Sequence, residues 1–361
     1  MDTEKIKSFL ADKDITIKQA MVQLTQRGIK ILFIIDKNKK LIGTLTDGDI
    51  RRGITCGIEL TAKIANIMKE EFFSFNLDDE NIQEKAHGLM KEYLIEFIPV
   101  LDDMGNITDI ISWYESLAAA ADPISLKRPF FDNPVVIMAG GKGTRLDPFT
   151  KILPKPLIPL GEKPIVEVIM DRFYERGFNK FKLVINHKKE MIKLYFSENK
   201  QPYELELVEE NEYCGTVGGL SLLKGKIKDT FILTNCDTLL DGDYGEFLTW
   251  HKENLNTLTV IGSHKEVDVP YGVLNMTNGS LFEMIEKPKY DLFVNTGSYV
   301  MEPDVLDYLV DNEQMDIDKL ITKIKSSNKE KIGVFPCWGR WFDVGQWDEY
   351  KRTLKYLGID V

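Results

Sequence analysis

Residues 138–161, MAGGKGTRLDPFTKILPKPLIPLG, set a glycine-rich turn immediately ahead of fixed positive charge. The apolar run Val135-Val136-Ile137-Met138 reads as a strand ending at Ala139. Past it, Gly140, Gly141 and Gly143 carry no Cβ, so backbone N–H groups can approach phosphate oxygens unobstructed. Arg145 then offers a guanidinium that forks two oxygens. Lys155, held between Pro154 and Pro156, offers a point charge on a stiffened segment. Ala139, Gly140, Gly141, Gly143 and Thr144 are the expected phosphate cradle, with Arg145 and Lys155 as its cations.

Outward from this turn, apolar strands alternate with helical stretches. Strands are expected at 135–139, 181–186, 203–208 and 231–234, and helices near 165–176, 188–196 and 216–223. The alternation predicts an α/β domain with a mainly parallel, Rossmann-like sheet whose ligand lies beyond the strands' C-terminal ends. The Gly140 loop occupies one such end and Asp237 another.

At 361 residues the chain has room for two cores, and no uninterrupted apolar run approaches the length of a membrane span. The N-terminus, MDTEKIKSFLADKD, is charged throughout, unlike a secretory leader. Cys56, Cys214, Cys236 and Cys337 are too dispersed for a zinc cluster or redox pair, so reduced thiols in a cytoplasmic protein are expected. A formal charge of −11 argues against nucleic acid as a partner, since binding it draws on clustered Lys and Arg. Small anions need only a local group of cations and a metal.

Two common nucleotide loops do not fit. The P-loop requires Gly-Lys followed at once by Ser or Thr, and the dinucleotide fingerprint requires a third glycine where Leu146 stands. Gly140-Gly141-x-Gly143-Thr144-Arg145-Leu146-x-Pro148-x-Thr150 with Pro154-Lys155-Pro156-Leu157 resembles instead the signature of the sugar-1-phosphate nucleotidyltransferases. That resemblance implies a GT-A-type nucleotidyltransferase fold over residues 134–361. It also implies in-line attack of a sugar 1-phosphate on the α-phosphorus of a nucleoside triphosphate, with pyrophosphate leaving. The nucleophile is already ionised, so the difficulty is repulsion between anions, which cations and a metal relieve.

The same resemblance makes Asp237 and Asp343 the ligands of Mg2+, which favours one or two carboxylates with substrate oxygens and water. It assigns the sugar phosphate to Gly272, Glu286, Lys287, Asn295 and Thr296, in the strings Tyr271-Gly272-Val273, Glu286-Lys287-Pro288 and Asn295-Thr296-Gly297. Glu210, Gly215 and Thr216 are the expected base-side residues. Gly-Thr-x-Gly there looks more like guanylyl-transferring members, acting on mannose or heptose 1-phosphate, than the thymidylyl type. A carboxylate suits guanine, whose N1–H and N2–H are adjacent donors. GTP is therefore expected with glucosamine, mannose or a related sugar 1-phosphate, while a thymidylyl-, uridylyl- or cytidylyltransferase remains the alternative.

Residues 1–120 carry a degenerate repeat with an offset near 66: Ala20 falls on Ala86, Leu24 on Met90, Asp36 on Asp102 and Leu45 on Ile111. Each copy, about 1–58 and 59–120, reads as helix, strand, polar turn, strand and helix. The order, with Gly43-Thr44-Leu45-Thr46-Asp47-Gly48-Asp49, resembles a tandem CBS pair, an α+β module. The resemblance implies that Thr46 and Asp49 hold the ribose and phosphates of AMP or ATP, that the pair regulates the enzyme, and that the chain forms homo-oligomers. Asp49 falls opposite Glu115 and Gly43 opposite Asp109, so at most one good ligand site is expected per chain, and a purely dimerising module stays open. Residues 121–133 read as the linker. A nucleotide-sugar glycosyltransferase would instead use an Asp-x-Asp motif, for which Asp241-Gly242-Asp243 is the candidate.

Overall fold

The computed structural model describes residues 3–93, 95–112, 130–327 and 331–359, and the chain divides into two compact units, Met1–Lys127 and Arg128–Val361. In the second unit a seven-stranded sheet runs in the order Glu204–Glu209, Lys180–Ile185, Val135–Ala139, Phe231–Asn235, Lys289–Met301, Leu258–Asp268, Ile332–Cys337. Every junction is parallel except the two made by Lys289–Met301, which is antiparallel to both neighbours. The fold is thus α/β with a large, mostly parallel sheet.

Central strands are apolar on both faces because both are covered. Val135, Ile137, Leu183 and Ile232 pack on one side with Ile165, Ile169, Met170 and Phe173 of the helix Ile165–Glu175. Val136, Val184 and Leu233 pack on the other with Leu220, Leu223, Leu320 and Ile324. The helix expected from Thr216 is a short 3-10 turn, Gly218–Leu223. Two adjacent glycines give little drive toward an α-helix. Both are needed, because a Cβ on Gly218 would strike the Glu313 carbonyl and one on Gly219 the Glu210 carboxylate.

Most of the expected linker, and Glu115, lie outside the described residues. Phe131 and Asn133, from the same stretch, are bonded into the second unit: Phe131 stacks on Phe178 at 4.7 Å between ring centroids, and Asn133 Nδ2 donates to the Thr230 carbonyl at 2.7 Å. No helix among the described residues is long and apolar enough to cross a membrane.

In the first unit the offset of 66 is carried into the structure. Strands Ile31–Ile35 and Leu41–Thr46 of the first copy recur as Phe97–Leu101 and Ile107–Ser112 of the second. Each copy forms a three-stranded sheet, and both show the same register shift, at Ile34/Ile35 and at Val100/Leu101. The copies share a core in which Phe9, Phe33, Leu41 and Ile110 meet.

Thr46 and Asp49 form a reciprocal cap at the start of the helix Asp47–Thr55. The Asp49 carboxylate accepts from the Thr46 N–H at 2.8 Å and the Thr46 hydroxyl at 2.6 Å, and Arg52 pairs with its other oxygen at 2.5 Å. Asp49 is 4% exposed, so both residues expected to meet a ligand are engaged by the protein itself. Asp49→Ala should therefore cost the first unit about 1–2 kcal/mol. Urea unfolding checks this, and an unchanged midpoint would count against the cap.

Candidate active site

The C-terminal ends of four adjacent parallel strands and the middle of the antiparallel strand Lys289–Met301 open onto one cavity of about 690 Å³. Across the sheet they bring, in order, Glu210, then Asn186 and His187, then the Gly140 loop, then Asp237, then Asn295 to Gly297. The Gly140 loop is stitched down behind: Thr150 Oγ1 donates to Asp147 at 2.6 Å and lies 3.1 Å from the Gly143 carbonyl, and Lys188 Nζ donates to the carbonyls of Thr150 and Lys151. Gly143 sits at φ +70°, where a Cβ would run into the Lys155 stem, so the glycine is what lets the lysine pass under the loop.

Lys155 Nζ forms a buried ion pair with the Asp237 carboxylate. Asp343 arrives from far along the chain through a two-stranded ladder, Thr238–Leu240 against Trp341–Asp343, in which Thr238 faces Asp343. The Val344 N–H bonds the Asp237 carbonyl at 2.9 Å, Gln346 Nε2 donates to Asp343 at 2.8 Å, and Arg145 reaches Asp343 at 3.7 Å. Gly345 lies where these groups converge. A Cβ there would collide with Asp237 and come within 3.0 Å of both Asp343 Oδ1 and Lys155 Nζ.

The two carboxylates are set apart electrostatically. Burial pushes Asp237 up, with Lys155 pulling it back. Burial also acts on Asp343, but the Gln346 amide, Asp237 and the Arg145 and Lys155 cations hold it below the usual carboxylate range. Burial depresses Lys155, but Asp237, Cys236 and Asp343 together outweigh it and keep the ammonium above its ordinary value. Two hard oxygen donors in a cradle with no room for a Cβ are of the kind that could hold a divalent cation such as magnesium.

Glu210 is 2% exposed, and neither carboxylate oxygen has a hydrogen-bond partner among the described residues. It is seated between Gly140 and Gly219, each of whose missing Cβ atoms leaves room for one of its oxygens. Burial pushes it up to about 7, the Cys214 N–H offsetting this in part.

A sequence model of the nucleotidyl transferase family matches residues 134–357. The chain belongs to that family. A model of the CBS domain matches residues 6–55, within the first copy of the repeat. Among curated nucleotidyl transferase relatives, the UTP–glucose-1-phosphate uridylyltransferase of Synechocystis sp. is 28% identical over 241 residues, covering 61% of this chain and 62% of its own. The bifunctional protein GlmU of Methanococcus maripaludis is 31% identical over 231 residues, 62% of this chain and 54% of its own. The mannose-1-phosphate guanyltransferase of Yarrowia lipolytica is 30% identical over 232 residues, 62% and 63% respectively. The chain thus spans less than two thirds of the length of these relatives. The crystal structure of HddC from Yersinia pseudotuberculosis superposes with a TM-score of 0.51 at 24% identity, over 62% of this chain and 99% of that one, a likeness of fold.

In this nucleotidyl transferase, Gly140, Gly141, Gly143, Thr144, Arg145, Lys155, Glu210, Gly215, Thr216, Asp237, Asn295, Thr296 and Asp343 all line the cavity, whereas Ala139 is buried beneath it. Gly272, Glu286 and Lys287 do not line it. They sit around an exposed hairpin, Val273–Thr277 with Ser280–Ile285, on strands that run out beyond the main sheet. Asn295 and Thr296 reach the cavity because the partner strand slips register between Val260 and Gly262, with Gly297 at φ +82°. Their polar atoms are already used. Asn295 Nδ2 donates to Tyr299 at 2.6 Å, its Oδ1 accepts from the Gly297 N–H, and the Thr296 hydroxyl donates to the Ile261 carbonyl at 2.7 Å. Asp241 is paired with Arg172 at 2.8 Å and Asp243 caps the helix Tyr244–Glu253, so that Asp-x-Asp string is structural.

Sequence reasoning missed the segment Glu313 to Ile317, which clamps the Gly215 loop. Met315 N–H bonds the Cys214 carbonyl at 2.9 Å and Val217 N–H the Met315 carbonyl at 3.0 Å. Thr216 and Asp316 exchange caps, with Ile317 N–H on Thr216 Oγ1 at 3.0 Å. Gly215 was legible; its partner, about 100 residues on, left no local pattern.

Glu210 is raised in the folded protein above 4.5, the ordinary value, so it contributes stability below that pH that is lost as pH rises through about 7. Glu210→Gln should raise Tm at pH 8 and leave it unchanged near pH 4.5. A pH-independent difference in thermal melts would show the carboxylate to be solvated.

Proposed function

We propose that this nucleotidyl transferase moves the nucleotidyl group of a nucleoside triphosphate, GTP in preference, onto a sugar 1-phosphate such as glucosamine or mannose 1-phosphate, releasing pyrophosphate. The observation that carries the reading is the convergence of the bare Gly140 loop, Lys155, Arg145, Asp237 and Asp343 on one cavity. Both substrates are polyanions, and the site answers with backbone N–H groups and two cations aimed at the same space. The uridylyl- and guanylyl-named relatives are similarly distant, so the base has to be argued from the pocket.

Glu210 supports guanine. A desolvated carboxylate with two open acceptors costs free energy until two donors meet it. Guanine offers such a pair on one edge, whereas uracil and thymine offer a single donor between acceptors. The Gly140 N–H groups would hold the triphosphate beside that recess, with Lys155 and Arg145 taking up charge on the phosphates. A magnesium ion held by Asp237 and Asp343 would supply further charge neutralisation. Asn295, Thr296 and the hairpin residues Gly272, Glu286 and Lys287 lie on the opposite side of the Gly140 loop from Glu210, where the acceptor sugar would sit.

For the first unit we propose adenine-nucleotide sensing at Thr46 and Asp49, the ligand displacing the present cap. Asp49→Ala would then abolish any effect of AMP or ATP on turnover while basal activity persists.

Pyrophosphate release by the purified chain, measured for each nucleoside triphosphate against a panel of sugar 1-phosphates, tests the reading. GTP should be preferred, EDTA should stop turnover and magnesium restore it. Asp237→Ala or Gly345→Ala should lower kcat about a hundredfold or more. Glu210→Gln should raise the KM for GTP about tenfold. In the wild type that KM should climb as pH falls below about 7, as the carboxylate takes up its proton. No pyrophosphate from any triphosphate would overturn the assignment.

A further inference from the structure

We propose that Tyr213 is the platform on which the base of the bound nucleotide stacks, its ring covering one face of the base while Glu210 engages the edge. The inference rests on the reading of the cavity as a nucleotide site and extends it to the residue that grips the base plane.

Tyr213 lines the same cavity as Glu210 and the Gly140 loop. Tyr213 follows Glu210 by three residues, and both side chains line the one cavity. Both residues follow the edge strand Glu204–Glu209, on the far side of the Gly140 loop from Asp237 and Asn295. A nucleotide with its phosphates on the Gly140 loop and its reacting end toward Asp237 has its base on the Tyr213 side.

The ring is 45% exposed, and no other ring packs on it among the described residues. The backbone beneath it is nevertheless fixed. Gln314 Nε2 donates to the Tyr213 carbonyl at 3.4 Å, Met315 N–H to the Cys214 carbonyl at 2.9 Å, and the Thr216 and Asp316 caps hold the loop one turn further on. Gly215, at φ +82° against the Met315 carbonyl, has no space for a side chain, so the loop and the clamping segment are in direct backbone contact. An uncovered aromatic ring on a braced loop is pre-organised for a flat partner. A base stacked on it loses little freedom beyond its own, and stacking is tolerant of base identity because every base has a π-face. The division of labour follows: Tyr213 supplies affinity for any base, and Glu210 chooses among them by its acceptors.

The test uses the full chain and the substitutions Tyr213→Ala, Tyr213→Leu and Tyr213→Phe, with Tm measured for each. With sugar 1-phosphate saturating, Tyr213→Ala and Tyr213→Leu should raise the KM for the preferred triphosphate about tenfold, with kcat within about twofold, and Tyr213→Phe should restore the wild-type KM. Ribose 5-triphosphate, which has no base, should inhibit wild type and Tyr213→Ala with the same Ki. An unchanged KM in the alanine and leucine variants would overturn the proposal. So would a Ki for ribose 5-triphosphate that rises in parallel, or a loss of folding in both variants, since either assigns the ring to the loop's structure. A chain that prefers UTP would refute the guanine reading alone, because the stacking effect would then appear in the KM for UTP.

Discussion

Lys155 and Asp237 stand 82 residues apart in sequence and touch at the floor of the cavity, and the rest of the site is arranged around that contact. A buried ion pair is costly to desolvate, and such pairs persist where the surroundings repay the cost. Here the surroundings are two glycines and a second acid. Gly143 makes room for the lysine stem and Gly345 for the carboxylate, while Asp343 adds a further negative charge within reach of the same ammonium. Removing either side chain would strand the other in a low-dielectric pocket. A polyanionic substrate and the divalent cation proposed for this site would each offer one partner a new neighbour of opposite sign, so the pair is well suited to being exchanged rather than kept.

The sheet fixes where that exchange takes place. Three parallel junctions carry the strand ends of Glu204–Glu209, Lys180–Ile185, Val135–Ala139 and Phe231–Asn235 to one edge, and the antiparallel strand Lys289–Met301 brings its bulged Asn295-Thr296-Gly297 turn to the same edge from the opposite direction. Four strand ends and the middle of a fifth strand thus make one linear site. The unpartnered carboxylate lies at one side, the bare loop in the centre and the acid pair beside it, an order that suits a long, segmented substrate.

Rigidity is distributed unevenly along that line. The Gly215 loop is clamped by the backbone of Met315 and the caps of Asp316 and Thr216, and the Gly140 loop is held by Thr150 and Lys188. Among the described residues the hairpin Val273–Ile285 shows no such bracing, and it exposes Leu274, Met276, Leu281 and Met284 on cross-strand neighbours. Two-stranded ribbons are marginal by themselves. The hairpin is therefore the part of this unit least determined by its own packing.

Local information in the sequence was enough for the parts that depend on local physics. The glycine turn, the flanking cations and the alternation of strands with helices were legible, as was the repeat, whose offset reproduces two strands of each copy at matching positions, while the two carboxylates were singled out by the family resemblance. Gly218 and Gly219 showed where that logic ends: the apolar run after Thr216 reads as a helix, but Glu210 and Glu313, distant in sequence, occupy the space that decides its form. Tertiary structure alone decided that Asp343 meets Asp237 through a short ladder, that the Glu210 carboxylate is buried with no close hydrogen-bond partner among the described residues, that Thr296 spends its hydroxyl on a bulge, and that Gly272, Glu286 and Lys287 stand outside the cavity. The reason is physical. Periodicity and backbone permissiveness act between near neighbours and leave a mark on the string, whereas desolvation and charge pairing depend on which remote groups the packed chain brings within a few ångströms of one another.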